Sequence, residues 1–85
     1  MSTLTFGFVI VPNFSLIALS ACVDPLRLAN QVMGRPMYKT MLLSMDGGLV
    51  ASSDGILVMS DSSLSNAPRL DTIFVIDPTR FPNAA

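Results

Sequence analysis

The sequence has no histidine, a single cysteine and few charged residues, which make up 13% of its 85 residues. Without an imidazole there is no histidine base and no histidine metal ligand, so most hydrolase and zinc-site schemes are excluded. The lone thiol, Cys22, excludes an internal disulfide and is typical of a reducing compartment. The five basic residues are scattered and the net charge is -1. These residues therefore form no cluster that could neutralise nucleic-acid phosphates.

Long apolar runs are also missing. No segment approaches the roughly 18 to 20 apolar residues of a membrane-spanning helix, so we predict no membrane contact. The stretch Leu19-Ser20-Ala21-Cys22 is similar to the lipobox of a bacterial lipoprotein signal. Residues 1–5 carry no Lys or Arg, however, and Pro12-Asn13 would interrupt the apolar core of such a signal. We therefore disfavour a lipoprotein signal and predict a cytoplasmic protein with no metal and no cofactor.

Apolar residues are abundant instead, at 51% of the chain. A chain this short has too much surface for its volume to hide all of them. We expect another copy or further sequence to cover part of this surface, and we predict a dimer or a higher assembly.

The first third of the chain predicts a strand, a tight turn and a helix. Residues 6–11 are apolar without alternation, which indicates a central strand covered on both faces. After the Pro12-Asn13 break, Asn13 and Ser15 each offer a side-chain oxygen to the first amides of a helix that ends at Gly34. Pro25 interrupts the helix, and we favour one kinked helix over two separate ones. Its predicted buried stripe, in which Cys22 is an inert packed thiol, comprises Leu19, Cys22, Leu26, Ala29 and Met33.

The remainder predicts four more strands and a single helical turn. Residues 38–45 form a second strand that ends at the turn Asp46-Gly47-Gly48, and residues 49–52 and 56–59 form a short antiparallel excursion. Residues 60–63 predict a cap for a single helical turn before Pro68. Residues 71–76 repeat the buried-strand pattern and are expected beside the first strand, whereas residues 77–85 have two prolines and predict no helix.

Capping and turn formation explain most of the aspartates, because they adjoin Gly, Ser or Pro. A carboxylate pair on adjacent strand ends, such as Asp46 with Asp77, is the catalytic alternative. The loop Pro12-Asn13-Phe14 follows the carboxyl end of the first strand, where open α/β sheets place ligands.

Several of these segments together resemble the start of the GlxA family of transcription regulators. They are residues 6–17, 23–30, 46–48, 51–55 and 70–75, so the resemblance extends over nearly the whole chain. Such regulators join an N-terminal ThiJ/PfpI domain, similar to class I glutamine amidotransferases, to an AraC-type helix-turn-helix domain. The resemblance implies an α/β, flavodoxin-like three-layer sandwich of the ThiJ/PfpI type. Residues 1–85 would be its first portion, in the order β-α-β-hairpin-β, and the DNA-binding domain would lie outside them.

The resemblance also departs from the enzymes of the superfamily. ThiJ/PfpI enzymes carry an acid in the first helix that partners a cysteine at a later elbow. In this chain the position that corresponds to the acid is Ala18, which cannot hold or donate a proton, and Cys22 does not correspond to the elbow cysteine. Family members usually continue with a glycine-rich turn after the strand that matches residues 73–75, whereas this chain has Asp77-Pro78 there. We therefore predict no catalytic residue.

These observations predict a non-catalytic effector-sensing or oligomerising portion of an AraC-type regulator. The regulators most similar to it respond to quaternary amines such as glycine betaine or carnitine, so we expect Asn13 and Phe14 to contact such a ligand. DNA contact is expected only through the other domain. Two alternatives stay open: a fragment of a ThiJ/PfpI hydrolase, hydratase or glyoxalase-like enzyme, and a truncated remnant. If only one sheet face is covered, the other exposes some of Val9, Val11, Leu42, Phe74 and Ile76, depending on register.

Overall fold

A computed structural model describes residues 3–77 of the chain. These described residues form six strands and one long helix. In chain order they are β1 (Leu4–Ile10), α1 (Leu16–Met33), β2 (Tyr38–Ser44), β3 (Leu49–Ala51), β4 (Leu57–Met59), β5 (Ser62–Ser63) and β6 (Thr72–Ile76). The prediction for residues 78–85 lies outside the described residues.

Four of the strands form a parallel sheet in the order β5-β2-β1-β6, and β3 pairs with β4 in a separate antiparallel ribbon. In the parallel sheet Phe8 lies opposite Leu42 on one side and Phe74 on the other. The predicted α/β fold class, the interior position of β1 and the place of β6 beside it are confirmed. Parallel neighbours need a crossover, and α1 supplies the one between β1 and β2.

The core lies between the sheet and α1. Its buried members are Phe8, Ile10, Phe14, Leu19, Val50 and Ile76, which come from both sheets and the helix. Phe8 stacks on Phe74 with ring centroids 5.4 Å apart. Burial of such large side chains is the main stabilising contribution.

The helix begins and ends where the sequence predicts. Ser15 is the N-cap and its Oγ accepts from the Ala18 amide, while Gly34 closes the helix at φ 71°. Such a left-handed residue is typical of a helix end. The helix is continuous through Pro25, so the prediction of one helix is confirmed.

The predicted buried stripe is wrong for Cys22 and Met33, which are both exposed. Leu19 and Leu26 of the predicted stripe do pack in or against the core, together with Leu16 and Val23, which the prediction did not include. Three- and four-residue spacing fits either set, because α1 is apolar on two opposite sides.

Residues 60–70 contain the predicted capped turn, since Ser63 Oγ accepts from the Asn66 amide and the Ala67 amide donates to the Leu64 carbonyl, but they form no helix, and their first part is a strand instead. Ser62 and Ser63 extend the sheet by pairing with Leu43 and Ser44 of β2. Asp61 supports this extension, since its amide donates to the Leu42 carbonyl and its carboxylate accepts from the Leu42 amide, each at 2.7 Å. The backbone of β2 therefore finds its partners in residues 61–63, which are extended.

Leu70 covers the sheet face opposite α1. A Cβ on Gly7 would lie 2.7 Å from Leu70 Cδ1, so the leucine packs directly on the bare backbone of β1. Val9 is buried, as is Ile76 on the helix side, so neither is an exposed residue of an uncovered face. The exposed part of the sheet is β6, where Ile73, Phe74 and Val75 are 54%, 43% and 58% accessible.

Three aspartates act differently from the predicted capping and turn formation: Asp61 and Asp71 accept from the backbone of distant strands, and Asp24 forms a local ion pair. Asp71 accepts from the Thr5 amide at 2.7 Å, much as Asp61 does at β2. Asp24 accepts from Arg27 Nε at 2.8 Å on the exposed side of α1. This hydrogen bond, together with the attraction between the two opposite charges, lowers the pKa of Asp24 and raises the pKa of Arg27.

Candidate functional site

The candidate site lies at the carboxyl edge of the parallel sheet, where β1 and β2 end and the ribbon β3–β4 folds over. After β1 the chain turns sharply: Asn13 has a φ of 67°, and the Phe14 amide donates to the Val11 carbonyl. Asparagine tolerates the left-handed conformation better than most residues. The Asn13 amide donates to the Ala51 carbonyl at 2.8 Å, which attaches this turn to β3.

The two residues predicted to contact a ligand lie side by side in different surroundings. Phe14 is 0% accessible and belongs to the core, where its backbone forms a parallel bridge with Ser52. Asn13 is exposed at the surface of the turn. Ligand contact by Asn13 and Phe14 stays a prediction, in which only Asn13 presents a side chain to solvent.

A cleft of ≈ 190 Å³ opens beside this turn. Among the described residues that line it, Asp46 is the only one with an ionisable side chain, and it is exposed. The remaining lining is mostly apolar and comes from the ends of β1 and β2 and from β3: Ile10, Pro12, Ser44, Met45, Gly48, Leu49, Val50 and Ala51. An apolar cleft with one carboxylate suits a small cation with aliphatic groups.

Two buried serines hold the turn that forms one wall of the cleft. Ser60 Oγ donates to the Gly48 carbonyl at 2.8 Å, so its single proton is committed. The 2.8 Å contact between Ser44 Oγ and Ser60 Oγ must then use the Ser44 proton, while Ser44 Oγ accepts from the Gly47 amide. Both hydroxyls are structural, because neither has a proton left for a substrate.

We expect Ser44→Ala to lower the free energy of unfolding by about 1–3 kcal/mol, because it leaves the Gly47 amide without its acceptor and Ser60 with one partner fewer. Urea unfolding at a fixed protein concentration measures the change. Ser63→Ala is the control, since the hydroxyl bonds of Ser63 are exposed and water replaces them, for a change within about 0.5 kcal/mol. Equal losses in the two variants would contradict the structural role of the buried chain.

The predicted catalytic pair of Asp46 and Asp77 is wrong, because the two residues do not follow adjacent strands. Asp46 follows β2 and Asp77 follows β6, and β1 lies between these strands. The two strand ends are thus about 10 Å apart, two strand spacings rather than one. Ala18, which the sequence resemblance aligns with the acid of the ThiJ/PfpI enzymes, packs against the core. Among residues 3–77 no group of three or more His, Cys, Asp or Glu side chains could hold a metal ion.

Sequence analysis did not identify Ser44, Ser60 and Met45 as residues of this edge. The only local signal was the turn at residues 46–48, which marks the end of β2. The serine contact joins residues 16 apart, and no short motif encodes it.

Comparison with known proteins identifies relatives among transcriptional regulators. The HTH-type transcriptional regulator GbdR of Pseudomonas aeruginosa is 44% identical over 71 residues, 84% of this chain and 19% of its own length. GlxA of Rhizobium meliloti is 41% identical over 69 residues, 81% of this chain and 21% of the regulator. CdhR of P. aeruginosa is 38% identical over 71 residues, 84% of this chain and 21% of the regulator. The chain therefore spans about a fifth of the length of these relatives.

Solved structures show the same fold. An AraC family transcriptional regulator from Pseudomonas putida superposes with a TM-score of 0.78 at 24% identity, covering 96% of this chain and 51% of the other. A DJ-1 superfamily protein from Agrobacterium tumefaciens, Atu0886, has a TM-score of 0.61 at 18% identity, covering 89% of this chain and 38% of the other. No family model matches the sequence. The chain is thus a homologue of the N-terminal portion of AraC-type HTH regulators such as GbdR, GlxA and CdhR, in a DJ-1/ThiJ-like fold.

Proposed function

We propose that this chain is a non-catalytic effector-sensing or oligomerising portion of a transcriptional regulator. The observation that carries the proposal is the 44% identity to GbdR over 84% of the chain. DNA contact belongs to a separate helix-turn-helix domain of such a regulator. We place the regulator in the cytoplasm, where its DNA is. Among the described residues no helix has the length and apolar character needed to cross a membrane.

Three features of the described residues support a role without catalysis. An alanine occupies the position of the superfamily's acid, and its side chain packs in the interior. Cys22 lies exposed on α1, on a different element from the cleft. The protons of both buried hydroxyls beside the cleft are already committed to hydrogen bonds within the protein. A covalent mechanism needs an activated nucleophile with a base in reach, and the cleft offers neither.

The proposed effector is a small quaternary amine bound at the carboxyl edge of the sheet. Asp46 supplies a negative charge at the cleft, and Met45 and Pro12 supply apolar contact to methyl groups. Asn13 follows Pro12 and presents a carboxamide that can donate to a carboxylate such as that of betaine. Phe14 contributes by anchoring this turn in the core.

Calorimetric titration with glycine betaine and with carnitine tests the proposal, in the longest protein that carries this sequence. Asn13→Gly is the informative variant, because glycine keeps the positive φ and removes only the carboxamide. We expect it to weaken binding about tenfold, the equivalent of one hydrogen bond. Asp46→Asn should weaken binding as well, whereas Asp54→Asn, in the β3–β4 turn outside the cleft lining, should not.

Unchanged affinity in Asn13→Gly and Asp46→Asn would remove this edge from the effector site. If neither amine binds the parent protein, the quaternary-amine proposal fails, and the oligomerising role is then judged by sedimentation alone.

A further inference from the structure

The outer edge of β2 leaves one backbone N–H and one backbone C=O without a partner among the described residues. Alternate residues of a strand bond to the same neighbour in a parallel pair, and on the β1 side the Leu4 amide donates to the Met37 carbonyl. Tyr38, Thr40 and Leu42 therefore direct their backbone groups away from β1. Strand β5 pairs only with the last two residues of β2, so no described strand reaches Thr40.

Side chains hold the equivalent backbone groups on either side of Thr40. At Tyr38 the Asn30 carboxamide donates to the carbonyl at 2.8 Å and accepts from the amide at 2.9 Å. At Leu42 the Asp61 amide donates to the carbonyl and the Asp61 carboxylate accepts from the amide, each at 2.7 Å. Because both neighbouring positions are occupied, a peptide strand cannot pair along this edge. The open position suits one compact group that donates and accepts side by side.

A groove between α1 and β2 contains this open position. It has a volume of ≈ 310 Å³, and its lining is mostly apolar: Leu16, Leu19, Ser20, Val23, Thr40, Leu42 and Asp61. The apolar members of this lining belong to the core or pack against it, so the groove is an opening in the side of the core. It shares no lining residue with the cleft proposed for the effector. A ligand that fills it therefore needs aliphatic groups besides its donor and acceptor.

We propose that this groove is a second ligand site, which binds a small primary carboxamide with a branched aliphatic tail. The carboxamide nitrogen donates to the Thr40 carbonyl and its oxygen accepts from the Thr40 amide, as Asn30 does at Tyr38 two residues earlier. The tail packs on the apolar side chains of α1 that line the groove. A carboxylate has no proton to donate and is repelled by Asp61, whereas an ammonium ion cannot accept from the Thr40 amide. These requirements together select a neutral amide.

NMR titration with isovaleramide tests the site, in the longest protein that carries this sequence. We expect saturable binding with a dissociation constant of about 1 mM, within reach of so small a ligand, and the largest amide shift at Thr40. N,N-dimethylisovaleramide, isovalerate and isoamylammonium each lack one of the required features. Each should therefore bind at least about tenfold more weakly. Equal binding of isovalerate or isoamylammonium would overturn the pairing with the Thr40 backbone.

Two variants remove different parts of the site. Thr40→Pro removes the outward N–H, and proline is tolerated at a strand edge where the missing N–H faces away from the neighbouring strand. Ser20→Leu fills the groove from α1 and leaves β2 unchanged, and leucine is a better helix former than serine, so circular dichroism should show an unchanged fold. Each variant should weaken isovaleramide binding at least about tenfold. Ala21→Leu, on the next residue of α1 and outside the groove lining, is the matched control and should leave binding unchanged.

Full affinity in Ser20→Leu would overturn the groove as the site, and so would an equal loss in Ala21→Leu. Binding by this chain but not by the longest protein would mean that a side chain of the longer protein fills the groove, and the free-ligand site would be wrong. The proposed effector site is tested separately, because betaine and carnitine are titrated against variants of the cleft.

Discussion

Phe14→Ala is expected to lower the free energy of unfolding of this chain by about 3–5 kcal/mol, enough to leave a marginal domain largely unfolded. The ring is fully buried among residues of β1, α1 and the β3–β4 ribbon. Its backbone also bridges Ser52 and accepts from the Ser53 amide at 2.9 Å. Loss of the ring opens a cavity where the two sheets and the helix meet. Urea unfolding at fixed protein concentration measures the change.

Phe74→Ala is the control for Phe14→Ala, because it removes the same side chain from a site that is 43% accessible. It loses the stacking on Phe8 but leaves less of a cavity, so we expect less than half of the destabilisation. Equal losses would contradict the central position of Phe14. The comparison also bears on binding studies, since lost effector binding in Phe14→Ala would report unfolding rather than a missing contact.

Gly47→Ala is expected to destabilise the chain by about 2–4 kcal/mol, through two separate costs. Gly47 has a φ of 80°, in the left-handed region that side chains with a Cβ adopt at a cost. An added Cβ would also lie 2.9 Å from the backbone nitrogen of Ser63, which cannot move without breaking the pairing of β5 with β2. Thermal and urea unfolding both report this loss.

Gly55→Ala separates the two costs. Gly55 has the same φ of 80°, and an added Cβ would meet nothing within 4 Å. It should lose only the conformational part, about 1–2 kcal/mol. If the two variants were equally stable, close packing of the Gly47 turn against β5 would be wrong.

The fold is predictable from the sequence where local signals agree with the tertiary structure. The continuous apolar run at residues 6–11 gives β1, and the Ser15 and Gly34 caps bound α1. The glycine turns at residues 46–48 and 53–55 separate β2, β3 and β4. Each of these signals acts within a few residues, so the rest of the chain does not alter it.

Other features depend on contacts between distant residues. Asp61 holds residues 60–63 extended because β2, 19 residues earlier, supplies partners for its amide and carboxylate. Ser63 does accept from the Asn66 amide, as a capping serine would, but no helix follows. The rotation of α1 is likewise set by the sheet, since both of its sides carry apolar residues at helical spacing.

The candidate site is likewise only partly predictable from the sequence. The sequence places Asn13 and Phe14 after a central strand, which correctly locates them at the carboxyl edge of the sheet. It gives no sign that the aromatic ring points inward, because burial of Phe14 depends on β3 and β4 folding over it. The hydrogen-bonded serine pair could not be predicted for a similar reason: serine is common in turns, and only the approach of Ser44 to Ser60 gives these two residues a joint role.

The edge strand β6 is apolar and exposed, which bears on aggregation of this polypeptide in a cell. Among the described residues it pairs only with β1, and Thr72–Ile76 holds no charge, proline or glycine. Natural proteins discourage indiscriminate strand addition with such residues or with a covering element. Wherever these five residues stay uncovered, they are a template for fibrils and a target for chaperones. Selection would then favour rapid covering of this edge strand over any gain in the intrinsic stability of the core.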